Sequence, residues 1–186
     1  MNNPLLENFD EPFGTVPFKD IRTEHFLPAI KAGIKDAESE IKIITDSEQE
    51  PTFVNTVLAL ELSGNRLFSA ANTYAHLFGS ESDKDFKDLS DTISPLVAEF
   101  DNNIYLNKSL FKRIEKVFEN KHLLKDGDDI RLVDVTYNDF LRNGAGLSEA
   151  NKTKLRNIDK NLSTLSPQFS KNTLSATNEF ELWLEK

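Results

Sequence analysis

The sequence contains no cysteine, and this absence excludes several kinds of site and of stabilisation. A chain without thiols has no disulfide framework, no thiolate metal site and no cysteine nucleophile. Packing must therefore hold the protein together, and 186 residues are enough for one domain with a buried core.

Long apolar runs and basic clusters are missing as well. No segment approaches the roughly 18 consecutive apolar residues of a membrane span, and residues 1–20 lack the basic and apolar regions of a signal peptide. We therefore expect a cytoplasmic location and no membrane partner. The formal net charge is −9 and no Lys/Arg cluster is dense enough for a nucleic-acid surface, which argues against a nucleic-acid partner.

The sequence is rich in helical apolar stripes, which predict an all-α fold. Hydrophobic residues make up 38% and charged residues 28% of the chain, as in soluble globular domains. Apolar side chains recur at three- and four-residue steps in six successive segments. The prediction is an antiparallel, bundle-like array of about six helices, with an extended arm before it and the start of a strand after it.

These patterns divide the chain into three parts. Residues 1–22 are rich in Pro, Gly and Phe, which predicts an extended arm packed on the body through Phe9, Phe13 and Phe18. Residues 23–178 form the predicted helical domain. Residues 179–186 alternate apolar and mostly acidic side chains, as a strand does, and we expect them to begin a following segment that is cut off after Lys186.

Two of the early helices carry specific expectations. The first runs from about Thr23 to Asp46, with Thr23 as its N-cap. The second is one long helix over residues 51–79. Gly64 lies on the apolar stripe of this helix, which predicts that a neighbouring helix approaches closely at that position.

The later helices are predicted by caps and stripes. The third covers residues 82–105, Asn107 caps the fourth, and Gly144 and Gly146 end the fifth. Ser148 opens the last helix, which should continue through Pro167 with a bend. This helix has the most regular apolar stripe of the chain, which predicts core positions for Leu155, Ile158, Leu162, Leu165 and Phe169.

Residues with catalytic or metal-binding chemistry do not form a recognisable motif. The three histidines, His25, His76 and His122, have no spacing that would bring two of them to one zinc ion, so we expect them at helix ends, core edges or in solvent. The run from Asp126 to Asp129 lacks the spacing of a calcium loop and is better explained as a helix cap. No catalytic, cofactor-binding or metal residue is assigned.

Five stretches, taken in order, resemble one known family. They are NPLL at 3–6, TEHFLPAI at 23–30, FVNTVLALELSG at 53–64, SPLVAEFDNNIYLNKSLFKRI at 94–114 and DFLRNGAGLSEANKTKLRNIDKNLSTLSPQFSKNTLSAT at 139–177. Together they are similar to the N-terminal region of the thimet oligopeptidase and peptidyl-dipeptidase family of zinc metallopeptidases. The resemblance covers almost the whole chain.

The resemblance implies a helical, two-lobed enzyme with a deep channel for short peptides. In such enzymes a His-Glu-x-x-His helix and a downstream Glu hold zinc, and the motif Glu activates water. Residues 1–186 contain no such motif. We therefore expect an N-terminal scaffold that lacks a cofactor of its own, while zinc belongs to the parent protein.

The expected activity of that parent is hydrolysis of short oligopeptides, with release of C-terminal dipeptides. The expected partners are the downstream catalytic part of the same polypeptide and, for the parent, peptide substrates. The isolated segment should be inactive. The apolar stripes also permit a stand-alone helical module that binds a helix or peptide in an apolar groove.

Overall fold

A computed structural model describes residues 3–7, 9, 12–80 and 83–181. Eight α-helices lie in these ranges: α1 (Thr23–Asp46), α2 (Ala59–Glu61), α3 (Asn65–Ser80), α4 (Lys84–Asp88), α5 (Ser90–Tyr105), α6 (Lys108–Glu119), α7 (Gly127–Arg142) and α8 (Glu149–Asn178). Short 3₁₀ turns occur at Pro4–Leu6, Pro12–Gly14 and Lys121–Leu123, and a π-helical turn at Phe53–Leu58 precedes α2. The described residues include no strand, so the all-α prediction is confirmed.

Helix α1 takes part in two separate apolar clusters. Its first half contributes Phe26 and Ile30 to a cluster that also holds side chains of α3, α4 and α5. Its last turns contribute Ile41 and Ile44 to a second cluster, formed with α6 and α7. A third, smaller cluster joins Val57, Val117 and Val133. Because α1 spans the first two clusters, it holds the two halves of the core together.

The second predicted helix is interrupted. A turn at residues 62–64 separates α2 from α3, and Gly64 adopts a left-handed backbone conformation with φ 70°. The Gly64 backbone N–H donates a hydrogen bond of 2.7 Å to the Glu40 carboxylate. The prediction of one continuous helix with Gly64 in its interior is therefore wrong, because glycine at positive φ ends a helix rather than continuing it.

Helix α1 does lie beside Gly64, where an added Cβ atom would be 3.4 Å from Cβ of Ala37, but the closest approach of the two backbones is at Gly33. A Cβ atom on Gly33 would lie 2.7 Å from the Cα atom and 2.8 Å from the backbone nitrogen of Leu67 in α3. Since these are backbone atoms, only glycine lets α1 and α3 pack at this distance.

Several helix boundaries follow local hydrogen bonds. Asn107, Asp126 and Ser148 cap α6, α7 and α8 as predicted, because each side chain accepts a bond from a backbone N–H two or three residues later. Helix α1 has the predicted bounds, but Thr23 is its first residue and not its cap. The Arg22 backbone N–H at that end donates to Nδ1 of His25 over 3.0 Å.

The predictions for the later helices are confirmed at Pro167 and Gly144 but not for the third predicted helix. Helix α8 continues through Pro167, which confirms the prediction of one helix rather than two. The third predicted helix is divided at Leu89 into α4 and α5, and its first residue lies outside the described part of the chain. Gly144, at φ 94°, follows the end of α7 as predicted.

The segments at either end differ partly from expectation. In the N-terminal arm Leu5 and Ile21 are buried and Phe9 packs against the first cluster. Phe13 and Phe18 are 104% and 60% exposed, so the prediction that they pack on the body is wrong. Glu179 is in a turn and residues 180–181 have no regular structure, whereas residues 182–186 lie outside the described part, so the strand stays a prediction.

Buried Arg113 fixes the connection that comes after α1. Its Nη1 donates to the carbonyl oxygens of Ser47 and Gln49 over 3.0 and 3.1 Å, and its Nη2 donates to Oδ1 of Asn55 over 3.3 Å. Arg113 is only 8% exposed, so these bonds satisfy guanidinium donors that are largely shielded from water.

Gly33→Ala should destabilise the fold, because the new methyl group meets the backbone of Leu67. We expect a loss of about 1–3 kcal/mol in the free energy of unfolding, measured by urea denaturation followed by circular dichroism. Gly79→Ala is the matched control, since its Cβ would have no neighbour within 4 Å and should be neutral or stabilise α3 by up to about 1 kcal/mol. Equal effects of the two changes would contradict the close packing of α1 on α3.

Candidate functional site

An open groove of about 780 Å³ lies among the described residues of α3, α5 and α8. Helix α5 contributes Ile93, Val97 and Asp101 to its lining. Helix α5 also contributes Ser90, Ser94, Ala98, Asn102 and Tyr105. Further lining residues come from α3, from the end of α7 and from α8: Ala71, Asn72, Tyr74, Ala75, Phe78, Arg142, Asn143, Leu155, Asp159, Leu162, Ser163, Ser166, Pro167 and Ser170. Small side chains dominate the α8 wall, so the groove stays open rather than closing into core.

Polar contacts at both ends attach α8 to the rest of the chain. Near its start the buried Lys152 donates from Nζ to the carbonyl oxygen of Leu106 over 3.1 Å. Arg156 Nη1 donates to Oδ1 of Asn103 over 2.9 Å. Towards the other end, Lys171 Nζ lies 2.8 Å from a carboxylate oxygen of Asp91. These contacts fix the rotation of α8 about its own axis.

That rotation leaves the apolar stripe of α8 in solvent. We use "α8 stripe" for Ile158, Leu162, Leu165 and Phe169, which are 54%, 52%, 58% and 73% exposed. Leu162 also lines the groove, so the α8 stripe adjoins it. The inward side of α8 instead carries buried or half-buried side chains: Lys152, Leu155, Arg156, Asp159, Ser163, Pro167, Lys171 and Leu174. At 100° per residue the two sides are about 130° apart.

The sequence predicted that five apolar residues of the last helix lie in the core. This prediction is wrong for the four residues of the α8 stripe. Leu155 alone is half-buried, at the edge of the groove. No sequence signal indicates this outcome, since Lys152, Arg156 and Lys171 form a polar face of the kind that normally points to water. Their partners are distant in sequence, such as the Leu106 carbonyl oxygen and the Asp91 carboxylate.

Titratable groups in the groove are shifted by their surroundings. Burial raises the pKa of Tyr74 to about 12, and its hydroxyl donates to the carbonyl oxygen of Phe86 over 3.2 Å. Burial also raises the pKa of Tyr105, and the negative charges of Asp101 and Asp139 add to this effect. The Asp101 carboxyl meets solvent, but its concave setting desolvates it and raises its pKa. The groove thus offers the protonated phenol of Tyr105 and the Asp101 carboxyl group for hydrogen bonding, whereas the Tyr74 hydroxyl is already bonded within the core.

The histidines occupy the kinds of position that the sequence predicts. His25 is half-buried at the start of α1, His76 is exposed on α3, and His122 is exposed in the 3₁₀ turn after α6. Across residues 3–7, 9, 12–80 and 83–181, no group of three or more His, Cys, Asp or Glu side chains is arranged to hold a metal ion. These residues do not fit a zinc site. In the same ranges no helix has both the length and the apolarity needed to cross a membrane.

Lys152→Met should loosen the start of α8, because it removes a buried charged donor and leaves the Leu106 carbonyl oxygen without that partner. We expect a loss of about 1–3 kcal/mol in unfolding free energy and faster amide hydrogen exchange in the first turns of α8. Lys154→Met is the control, since Lys154 is exposed on the same helix. Unchanged exchange in Lys152→Met would show that the contact does not hold the helix.

Comparison with known proteins gives a consistent set of relatives, although no family model matches the chain. The dipeptidyl carboxypeptidase of Escherichia coli is 34% identical over 175 residues, which are 94% of this chain and 26% of that protein. That of Salmonella typhimurium is 33% identical over 176 residues, with the same coverage. Oligopeptidase A of Haemophilus influenzae is 29% identical over 187 residues, which are 100% of this chain and 27% of the relative.

The chain thus spans about a quarter of the length of the curated relatives it matches. The similarity extends over nearly the whole fold, from the N-terminal arm to α8, and agrees with the five stretches that carry the resemblance in the sequence. The homology identifies the chain as an N-terminal region belonging to the thimet oligopeptidase family, alongside dipeptidyl carboxypeptidase and oligopeptidase A.

Proposed function

We propose that the chain is the N-terminal helical scaffold of a zinc-dependent peptidase that releases dipeptides from the carboxyl ends of short peptides in the cytoplasm. The observation that carries this proposal is the match of 94% of the chain to two dipeptidyl carboxypeptidases. Identity to these is 33–34%, against 29% for one oligopeptidase A and 25% for that of Escherichia coli. This order favours the dipeptide-releasing branch.

Zinc and the hydrolytic residues belong, in this proposal, to polypeptide downstream of the described region. When bound, zinc supplies Lewis-acid activation of water and of the peptide carbonyl. The described residues do not fit a metal site, so no step of hydrolysis is assigned to them. Their role is to build one helical part of the enzyme and to present surfaces to the catalytic part.

The groove between α3, α5 and α8 is the surface that we propose contacts a peptide substrate. Its volume of about 780 Å³ lies in the range of ligand sites, and apolar side chains such as Ile93 and Val97 alternate there with polar groups. Asp101 and Tyr105 add groups that can hydrogen-bond an extended backbone. In the parent enzyme this groove would guide a substrate rather than cleave it.

A stand-alone helical binding module is the second candidate, and the exposed α8 stripe is the observation in its favour. The two candidates differ in the polypeptide that each requires after Lys186 in the natural protein. A downstream His-Glu-x-x-His motif supports the peptidase, whereas a natural chain that ends at Lys186 supports the module.

The natural full-length polypeptide should bind one zinc ion per chain and release dipeptides from the carboxyl end of an unstructured peptide. Metal analysis and mass spectrometry of the products measure both properties. Residues 1–186 alone should do neither. Changing the motif Glu to Gln in the full-length protein is the control, and should retain zinc but lower the cleavage rate by about 10²–10⁴.

Two outcomes would contradict the proposal. One is stoichiometric zinc on the isolated 186 residues. The other is a full-length protein that binds zinc but leaves short peptides intact.

A further inference from the structure

The α8 stripe forms one continuous line along the helix. Ile158, Leu162, Leu165 and Phe169 succeed one another at steps of four, three and four residues, the spacing of a seam between two packed helices. From Ile158 to Phe169 the line is about 17 Å long. Single exposed apolar residues are ordinary, but a row of this length on one helix marks a surface that another element covers.

Rotation of α8 that would bury this row is opposed by the polar contacts of the helix. Turning α8 to bring the α8 stripe inward would break the bond from Lys152 to the Leu106 carbonyl oxygen. It would also separate Lys171 from Asp88 and Asp91, which lie 3.4 and 2.8 Å from its Nζ. The polar contacts therefore hold the α8 stripe outward.

We infer that the α8 stripe is the docking site for an amphipathic helix from the downstream part of the same parent polypeptide. This inference rests on the proposed function and specifies which surface the catalytic part meets. A helix fits because the seam spacing matches knobs-into-holes packing. The neighbours Asn161, Ser166 and Gln168 are uncharged, and Lys154, one turn before Ile158, is a charged residue next to the row. The partner helix therefore needs an apolar row with a mostly neutral border.

The length of the relatives favours this occupant. The matched part is 26% of each dipeptidyl carboxypeptidase, so about three quarters of those proteins lies outside it. Helix α8 is the last described helix, and Asn178 at its end is nine residues beyond Phe169, or about 14 Å along the axis. Polypeptide that continues from α8 therefore starts close to the α8 stripe.

A second copy of the chain is a less suitable occupant of the α8 stripe, because the apolar surface is small. A stable interface between separate proteins buries roughly 800 Å² on each partner, which four side chains that are already partly covered do not supply. A segment of the same polypeptide needs less area, since its tether gives it an effective concentration of about millimolar. The size of the α8 stripe thus fits an intramolecular contact.

Residues 1–186 contain no cysteine, so a thiol introduced into this region is the only one there and reports the accessibility of its site. Leu165→Cys places the probe on the α8 stripe, and Lys160→Cys is the matched control on another exposed side of α8. Each variant is made in residues 1–186 and in the natural full-length protein. Maleimide labelling is timed, and mass spectrometry of the peptides locates the label.

In residues 1–186 both thiols should react at similar rates. In the full-length protein, the rate at Leu165→Cys should fall about tenfold or more, while the rate at Lys160→Cys changes less than about twofold. Ile158→Cys serves as a second probe on the α8 stripe and should be protected in the same way. Circular dichroism of each variant checks that α8 is intact.

The possible failures separate this inference from the proposed function. A full-length protein that binds zinc and cleaves peptides, yet labels at Leu165→Cys as fast as the isolated region, overturns the docking site alone. Protection in residues 1–186 that increases with protein concentration identifies a second copy as the occupant and also overturns it. Protection in a full-length protein without peptidase activity supports the docking site while the proposed activity fails.

Discussion

Much of the fold rests on the contact of α1 with α3 at Gly33. A missing side chain at one position lets the backbones of two helices meet, and the aromatic cluster around Phe26, Tyr74 and Phe86 forms beside this contact. Further along, α1 reaches the second cluster through Ile41 and Ile44. Displacing α1 from α3 would therefore disturb both parts of the core, since packed interiors adjust little to added volume.

Helix α8 is attached to the rest of the fold in a different way from α1 and α3. Helices α1 and α3 meet through apolar side chains and a glycine, whereas α8 is held to its neighbours by Lys152, Arg156 and Lys171. Polar attachment leaves its apolar side available and keeps the groove along α5 open. The inward, polar side of α8 holds the region together, and the α8 stripe remains free to contact a further element. Such an arrangement suits a region of a longer chain.

Membership of the peptidase family and the lack of a metal-binding cluster among the described residues are compatible. The relatives are about four times as long as the matched part, so the hydrolytic chemistry can lie elsewhere in them. The described region contributes two surfaces. One is a groove lined by residues that include Asp101, Tyr105 and Arg142, and the other is the α8 stripe next to it. Under the proposed function, these surfaces would serve substrate access and contact with the catalytic part.

The features that could be predicted from the sequence depend on neighbours within a few residues. The all-α class, the caps at Asn107, Asp126 and Ser148 and the continuity of α8 through Pro167 follow from local hydrogen bonds and periodicity. Five short stretches also identified the family. Two outcomes emerged only from the folded chain: the backbones of two helices meet at Gly33, and the polar side of α8 turns inward. The reason is that such choices depend on partners far away in sequence, such as Leu67 for Gly33 and Leu106 for Lys152, which no local pattern encodes.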